Sequence, residues 1–260
     1  MINANSEYFI DPTYLNQTDG FSLDPLFSAM EGFTSFKNSS LNFSFVNMTD
    51  FWGAGNDQIR HFDKTATNLT GQDLKNGFGT SGSNPSGIYF NGSDFWVGFR
   101  NGNNISHYYN GTKLNDFDTS LIGLQNPRGL DGNDTDLYVI EPNDDFIYHT
   151  SNLGINYSNG IYIGGSGNAD PWGLQWNGSD FWISDYTDAC IYHYDRNGNN
   201  QTDSFCFSGI GFSSPMHFRF NNTNLLGLDD ADNFVYSLYS NIKNPSINIS
   251  FPSINNSNFS

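Results

Sequence analysis

The sequence predicts an all-β fold: a six-bladed β-propeller of four-stranded antiparallel blades with a repeat of about 44 residues. Two recurring motifs and the turn chemistry between them support this prediction. A proline motif recurs at nearly constant spacing, at Asn84-Pro85-Ser86-Gly87, Asn126-Pro127-Arg128-Gly129, Asp170-Pro171-Trp172-Gly173 and Ser214-Pro215. Short runs rich in aromatic and β-branched residues alternate with Asn-Gly, Asp-Gly and Ser-Gly turns, as in consecutive hairpins.

A second motif, in its clearest form Asp-Phe-Trp, keeps the phase of the proline motif. It begins at Asp50, Asp94, Asp136, Asp180 and Asn224. We call the four strands of a blade A to D; the proline motif then begins strand A and the second motif begins strand B. In the fourth visible unit, strands A to D are predicted at 173–176, 180–184, 190–194 and 204–208.

The repeats divide the chain into one domain, 1–260, with blades at 1–40, 41–84, 85–126, 127–170, 171–214 and 215–260. The first blade is a degenerate copy that lacks most of strand A. The C-terminal Phe259 and Ser260 align with the start of another strand A. Either they pair into the first blade and close the ring, or the chain is part of a longer polypeptide that completes this strand.

The pattern Pro-x-Gly-(Ile/Leu), then Asp-Phe-Trp-(Val/Ile), then Ile-Tyr-His-Tyr-Asp-x-x-Gly resembles that of the NHL-repeat and streptogramin-lyase-like propellers. The resemblance covers nearly the whole chain. It implies the fold and little about activity, because such propellers include enzymes, receptors and scaffolds.

Composition excludes two classes of partner. The formal net charge is −17, with only ten Lys and Arg residues, so nucleic acid and anionic membrane surfaces would be repelled. No apolar run is long enough to span a bilayer, so membrane insertion by this segment is not expected. The polar start of the chain has no signal-peptide core, and any export signal is expected to lie outside this sequence.

Sixteen Asn-x-Ser/Thr sequons are present, where roughly six would arise by chance at this composition. We predict N-glycosylation and therefore an extracellular or cell-surface protein. Nine sequons fall in A–B or C–D turns, which share one face of a propeller: Asn47, Asn91, Asn133, Asn177, Asn221, Asn68, Asn110, Asn156 and Asn200. The others are Asn16, Asn38, Asn42, Asn104, Asn248, Asn255 and Asn258. The alternative is that Asn and Ser or Thr recur because they make good turns.

The two cysteines, Cys190 and Cys206, lie equally far from Gly198 at the centre of the predicted C–D turn. Cross-strand partners in a hairpin are close enough for a disulfide after small adjustment. We predict this bond, with two buried thiols as the alternative.

Histidine recurs on strand C at His61, His107, His149 and His193. A catalytic site rarely repeats one residue on successive blades, so we expect a structural role, with an inter-blade hydrogen bond to a turn. His217, on strand A of the last blade, lies near the predicted channel, where a core role is favoured over a site role.

Carboxylates recur where strand B ends, at Asp11, Glu141, Asp185 and Asp229. They mark the face opposite the turn sequons as a candidate ligand or cation face, and Ca²⁺ is the cation that such oxygens would bind. The alternative is that these side chains cap their own turns. Trp172 and Trp176 could stack on a sugar or fill the core.

No catalytic motif or Cys/His metal spacing is present. We therefore predict a glycosylated, non-enzymatic binding or scaffold domain of the cell surface. The domain would need no cofactor, and its composition would suit an archaeal surface. Its partners would be N-linked glycans and a protein or glycan on the acidic face, which could be another copy of the chain. The alternatives are a self-assembling subunit of a surface layer or filament, and a cation-dependent lyase or hydrolase with its site at the channel mouth.

Overall fold

The computed structural model describes residues 16–22, 42–45, 50–55, 58–63, 85–91, 93–109, 112–157, 160–202, 204–207, 213–220, 224–229 and 234–239. These residues form five antiparallel sheets, which we number as blades I to V. Side chains are described from Pro85 to Asp229, with gaps. Among these residues no helix is long and apolar enough to cross a membrane.

The strands follow one another along the chain within blades I to IV. Blade I contains β2 (Asn42–Phe45), β3 (Asp50–Gly55) and β4 (Gln58–Asp63). Blade II contains β5 (Pro85–Phe90), β6 (Asp94–Phe99), β7 (Asn104–Tyr109) and β8 (Thr112–Asp118). Blade III contains β9 (Leu130–Gly132), β10 (Asp136–Glu141), β11 (Phe146–Ser151) and β12 (Ile161–Tyr162). Blade IV contains β13 (Pro171–Trp176), β14 (Phe181–Asp185), β15 (Cys190–Tyr194) and β16 (Phe205–Cys206).

Blade V combines the two ends of the described chain. It contains β17 (Pro215–Phe220), β18 (Asn224–Asp229) and β19 (Phe234–Tyr239), and its fourth strand is β1 (Asn16–Ser22). The N-terminal strand therefore completes the last blade, whereas we predicted it to lie in a separate first blade. The predicted pairing of the C-terminus into the first blade involves positions outside the described residues.

The first strands of the five blades contact one another in a closed cycle, β2 to β5, β9, β13, β17 and back to β2. The described sheets thus form a ring around a central axis. The prediction of an all-β protein built of four-stranded antiparallel sheets is confirmed, whereas the predicted count of six blades is not.

The repeated Pro-x-Gly glycine lets neighbouring first strands approach closely. A Cβ at Gly129 would lie 2.5 Å from the Trp172 carbonyl oxygen. At the equivalent Gly87 and Gly173 it would overlap the backbone of the next blade, at Arg128 and Met216 respectively. Only glycine fits where backbones meet in this way.

The hydrophobic core lies between blades. One cluster joins blades II and III and contains Trp96, Leu124 and Val139; another joins blades III and IV and contains Ile140, Ile183 and Tyr194. These side chains are almost completely buried. Each sheet is therefore covered by its neighbours, which leaves the strand ends and turns to form the two faces of the ring.

Candidate functional site: the two ends of the central axis

The first strand of each blade begins on the face of the B–C turns and ends on the face of the A–B turns. Two repeat positions on this strand therefore form two layers around the axis. The upper layer, at the middle residue of Pro-x-Gly, contains Ser86, Arg128, Trp172 and Met216. The lower layer, three residues further on, contains Tyr89, Asp131, Gln175 and Arg219.

An ion pair crosses the axis in the lower layer. Arg219 Nη1 of blade V lies 2.9 Å from Asp131 Oδ2 of blade III, although blade IV separates the two blades. Asp131 also accepts hydrogen bonds from the backbone amides of Gly132 and Trp176, at 3.0 and 2.8 Å. Burial raises the pKa of Asp131, against the opposing effect of Arg219, and burial together with Asp131 raises the pKa of Tyr89. The paired charges give this layer a structural role.

The upper layer contains a cluster of arginine and tryptophan. The Arg128 guanidinium carbon lies 3.8 Å from the centroid of the Trp172 ring, and that of Arg100, from the B–C turn of blade II, lies 5.9 Å from it. Arg128 Nη1 donates to Asp170 Oδ1 at 3.0 Å, and Tyr186 packs beside Trp172 with ring centroids 5.3 Å apart. Both arginines are within cation–π distance of the indole.

Charge compensation is incomplete in this cluster. Burial and the neighbouring Arg100 lower the pKa of Arg128, while Asp170 opposes the change. Among the described residues, Arg128 Nε and Trp172 Nε1 are buried without a hydrogen-bond partner, and Arg100 forms no ion pair. Sequence analysis missed both arginines. The signal that could have found Arg128 is a variable residue within an otherwise regular Pro-x-Gly repeat; Arg100 lies in a B–C turn, outside that motif.

The predicted carboxylates lie on the same face but point into the protein. Asp185 is fully buried, and its Oδ2 accepts from the backbone amides of Ala169 and Asp170 at 2.7 and 3.1 Å. Its Oδ1 accepts from the amides of Thr187 and Asp188 at 2.8 and 2.7 Å. The carboxylate therefore joins its own B–C turn to the segment that leads into the blade.

Glu141 and Asp229 make the bridge to the preceding segment in blades III and V. Glu141 accepts from the amides of Gln125 and Asn126, and Asp229 from those of Ser213 and Ser214. Glu141 Oε1 also accepts from the backbone amide of Asn143 in its own turn, at 3.1 Å, which matches the turn-capping alternative. Asp11 lies outside the described residues, and a ligand role for this set stays a prediction.

Exposed acids surround these buried carboxylates. Asp144 and Asp188 are exposed in the B–C turns of blades III and IV. Burial, together with the nearby charges of Asp144, Asp170 and Asp185, raises the pKa of Asp145. Within the described part of the chain, no group of three or more His, Cys, Asp or Glu side chains is arranged to hold a metal ion. The calcium site stays a prediction.

Two of the recurrent histidines, His107 and His149, bond through Nε2 to a carboxylate of their own blade, whereas we predicted an inter-blade hydrogen bond to a turn. His107 Nε2 lies 2.6 Å from Asp94 Oδ1, and its ring stacks on Trp96 with an interplanar angle of 5°. The carboxylate comes from the adjacent strand B of the same sheet. Blade III repeats the arrangement with His149 and Asp136, at 2.7 Å. Burial acts to raise the pKa of Asp136, but the hydrogen bonds with His149, Thr135 and Asn133 and the charge of His149 together lower it.

His193 stacks on Trp182 in the same way, and its Nε2 lies 3.9 Å from Asp180 Oδ2. His61 lies on β4, outside the part of the chain whose side chains are described. His217, on the first strand of blade V, is buried, and burial lowers its pKa to about 4 against the opposing effect of a hydrogen bond with the backbone of Ser86 in blade II. Trp176 packs against Tyr138, with ring centroids 4.9 Å apart.

The sequon asparagines at the A–B turns hold those turns together. Asn177 Oδ1 accepts hydrogen bonds from the backbone amides of Ser179 and Asp180, at 2.9 and 2.7 Å. Asn133 and Asn91 do the same in blades III and II. The repeated Asn-x-(Ser/Thr)-Asp motif thus has a structural reason. Asn47, Asn221, Asn110, Asn38, Asn68, Asn248, Asn255 and Asn258 lie outside the described residues.

The predicted disulfide joins Cys190 and Cys206. The two residues are direct cross-strand partners on β15 and β16, sixteen positions apart. The symmetry of the sequence around Gly198 therefore identified the correct register.

No protein-family model matches the chain, and no curated protein is significantly similar to it in sequence. Solved structures do resemble it. Virginiamycin B lyase from Staphylococcus aureus superposes with a TM-score of 0.52 at 17% identity, over 78% of this chain and 67% of that one. A catalytically inactive variant of that lyase, with quinupristin, superposes with a TM-score of 0.51 at 15% identity, over the same shares of the two chains.

Glutaminyl cyclase from Myxococcus xanthus gives a TM-score of 0.59 at 8% identity, over 77% of this chain and 88% of that one. Such low identities show a shared fold and do not transfer activity. The chain thus has the β-propeller fold of the streptogramin-lyase-like proteins, and the resemblance to NHL-repeat and streptogramin-lyase-like propellers is confirmed at this level.

Proposed function

We propose that the chain is an extracellular, N-glycosylated propeller that acts by binding, as a non-enzymatic scaffold or contact domain of the cell surface. Its fold is common among binding domains, and its sixteen sequons and its disulfide are typical of secreted proteins. Glycans would cover the face of the A–B and C–D turns. The opposite face, with the B–C turns, would contact a protein or glycan partner.

The geometry of the sequon turns is the observation that carries the proposal. At Asn133 and Asn177 the turn is held by Oδ1, and Nδ2, the atom that would carry a glycan, takes no part in these hydrogen bonds. A glycan could therefore be attached without loss of the turn. Asn156 and Asn200, at C–D turns on the same face, are exposed.

Asn104 provides a contrast within the same chain. It begins β7, next to a B–C turn, and is half-buried. Its Nδ2 donates to Ser106 Oγ at 3.3 Å and lies 3.5 Å from Asp116 Oδ1. We expect this sequon to stay unmodified, because a glycan would replace these contacts on the binding face.

The test is glycopeptide and intact-mass spectrometry of the protein isolated from its native source. The proposal expects hexose-containing adducts at Asn133, Asn177, Asn156 and Asn200, an unmodified Asn104, and an intact disulfide. Unmodified sequons together with free thiols would contradict both glycosylation and an extracellular location. Equal occupancy of Asn104 would contradict the division of the ring into a glycan face and a binding face.

A further inference from the structure

We propose that the cluster of Arg100, Trp172 and Arg128 binds the carboxylate group of an acidic ligand at the B–C end of the axis. This proposal goes beyond the function proposed above, since it requires neither glycosylation nor secretion. The cluster lies where the first strands of blades III and IV begin, next to the B–C turn of blade II. Three blades therefore contribute to the site.

The first argument is the distribution of charge. The chain has 27 acidic and ten basic residues, so a surface arginine has many opportunities to pair with a carboxylate. Arg219 pairs with Asp131, and Lys113 with Asp116. Arg100 instead lies beside an indole and a second arginine, and it has no carboxylate within 4.0 Å among the described residues. Two like charges close together are unfavourable unless an anion joins them.

The second argument is the set of unused donors. The Arg128 side chain is only 13% exposed, and its one carboxylate partner, Asp170, receives a single Nη1 contact. Arg128 Nε and Trp172 Nε1 have no hydrogen-bond partner among the described residues. Buried donors without partners cost stability. An acidic ligand would supply acceptors to these groups.

The choice of a carboxylate follows from the surroundings. Guanidinium groups match the geometry of both carboxylates and phosphates. The nearby Asp145, Asp170 and Asp185 are negative, as is the exposed Asp188 in the same face. They repel a dianion more strongly than a monoanion, so a single carboxylate is favoured over a phosphate group. The carboxylate could belong to a sugar acid or to an acidic amino acid.

The experiment is a titration of the full ¹⁵N-labelled chain at pH 7, followed by the indole N–H resonance of Trp172, which Trp172→Phe assigns. The ligands are sodium glucuronate, N-acetylglutamate and inorganic phosphate, with methyl glucoside as the neutral control. We expect saturable shifts with at least one carboxylate and none with the neutral sugar. Tighter binding of glucuronate would identify a sugar acid as the ligand class, and tighter binding of N-acetylglutamate a peptide carboxylate.

Arg100→Gln tests whether the cluster binds the carboxylate. Arg100 is on a turn, so its loss should not prevent folding. We expect it to weaken carboxylate binding about tenfold, as for loss of one charge-assisted hydrogen bond. The matched control is Arg196→Gln, an exposed arginine of a C–D turn on the opposite face, which should leave the affinity unchanged. The proposal is overturned if no carboxylate shifts the Trp172 resonance, if phosphate binds more tightly than both carboxylates, or if Arg100→Gln binds as well as the wild type.

Discussion

Arg219 and Asp131 form an ion pair across the central axis, with Nη1 and Oδ2 2.9 Å apart and with one blade between the two that they join. The Asp131 side chain is 5% exposed, so removal of its partner leaves a buried carboxylate. A buried pair broken on one side typically costs 3–5 kcal/mol. The two backbone amides that also donate to Asp131 should reduce this cost.

We therefore predict that Arg219→Met lowers the free energy of unfolding by about 3 kcal/mol, measured by urea denaturation. The control is Arg196→Met, at an exposed turn on the same face, where a change within about 0.5 kcal/mol is expected. If the two variants were equally stable, the crossing pair would contribute nothing to closure of the ring.

The close approach of the first strands provides a second prediction. Gly129→Ala places a Cβ 2.5 Å from the backbone oxygen of Trp172, and backbone cannot move aside as a flexible side chain can. We expect a loss of about 1–3 kcal/mol, as for overpacked cores. Gly165→Ala is the matched control, because nothing lies within 4 Å of the added methyl group. Equal midpoints of urea unfolding for the two variants would show that the ring is looser at Gly129.

The repeats predicted the middle of each blade well, because strands B and C carry the motifs. In blade IV, strand C was predicted at 190–194 and is observed at Cys190–Tyr194. The pairing of Asn16–Ser22 with Phe234–Tyr239 was missed, because no motif marks this N-terminal strand and its partner lies at the other end of the chain. The count of six rests on the assignment of the early residues to a copy of their own, and the described residues do not confirm it.

The site was harder to predict than the fold, and the reason is physical. Glu141 and Asp185 recur because blades III and IV use the same backbone bridge, so repetition indicated structure rather than binding. Arg100 and Arg128 occur at positions where the other blades have different residues, and a repeat analysis gives such positions no weight. Only the three-dimensional arrangement brings them together at Trp172.

The disulfide should contribute measurably to stability. In the chain-entropy model, removal of a cross-link between residues sixteen positions apart lowers the free energy of unfolding by about 3 kcal/mol. We expect the double variant Cys190→Ala/Cys206→Ala to lose about this much free energy of unfolding in urea. Addition of dithiothreitol should destabilise the wild type and leave the variant unchanged. A response of the variant to the reductant would contradict the assignment of the effect to this bond.

His217 should make the fold sensitive to mild acid. Its pKa is about 4 in the folded protein, because burial disfavours the charged ring, against an ordinary value of 6.5. Between these values the unfolded chain binds a proton that the folded chain does not. The stability contributed by neutral His217 is therefore fully present above pH 6.5 and is lost as the pH decreases toward 4. The difference between the two pKa values corresponds to roughly 3 kcal/mol.

The measurement is the free energy of unfolding from pH 7 to pH 4 for the wild type and for His217→Gln. Asp and Glu side chains titrate in both proteins, so the difference between the two curves isolates His217. We expect the wild type to lose more stability than the variant across this range. Parallel curves would mean that His217 titrates alike in the folded and unfolded states, which would contradict the lowered pKa.

The sequon turns allow the structural and the modification roles of asparagine to be separated. In Asn177→Asp the side chain keeps an oxygen that can accept from the amides of Ser179 and Asp180, but the glycan acceptor is lost. In Asn177→Ala both are lost. We expect Asn177→Asp to be unglycosylated and nearly as stable as the deglycosylated wild type, and Asn177→Ala to be less stable by about 1 kcal/mol.

Thermal denaturation after enzymatic deglycosylation, with peptide mass spectrometry of each variant, measures the two effects independently. If Asn177→Ala matched Asn177→Asp in stability, the turn would not depend on Oδ1, and the recurrence of asparagine would then favour glycosylation as its reason. If both variants differed from wild type only before deglycosylation, the stabilising element would be the glycan itself. Because Asn133 makes the same contacts in blade III, the result at Asn177 should be repeated there.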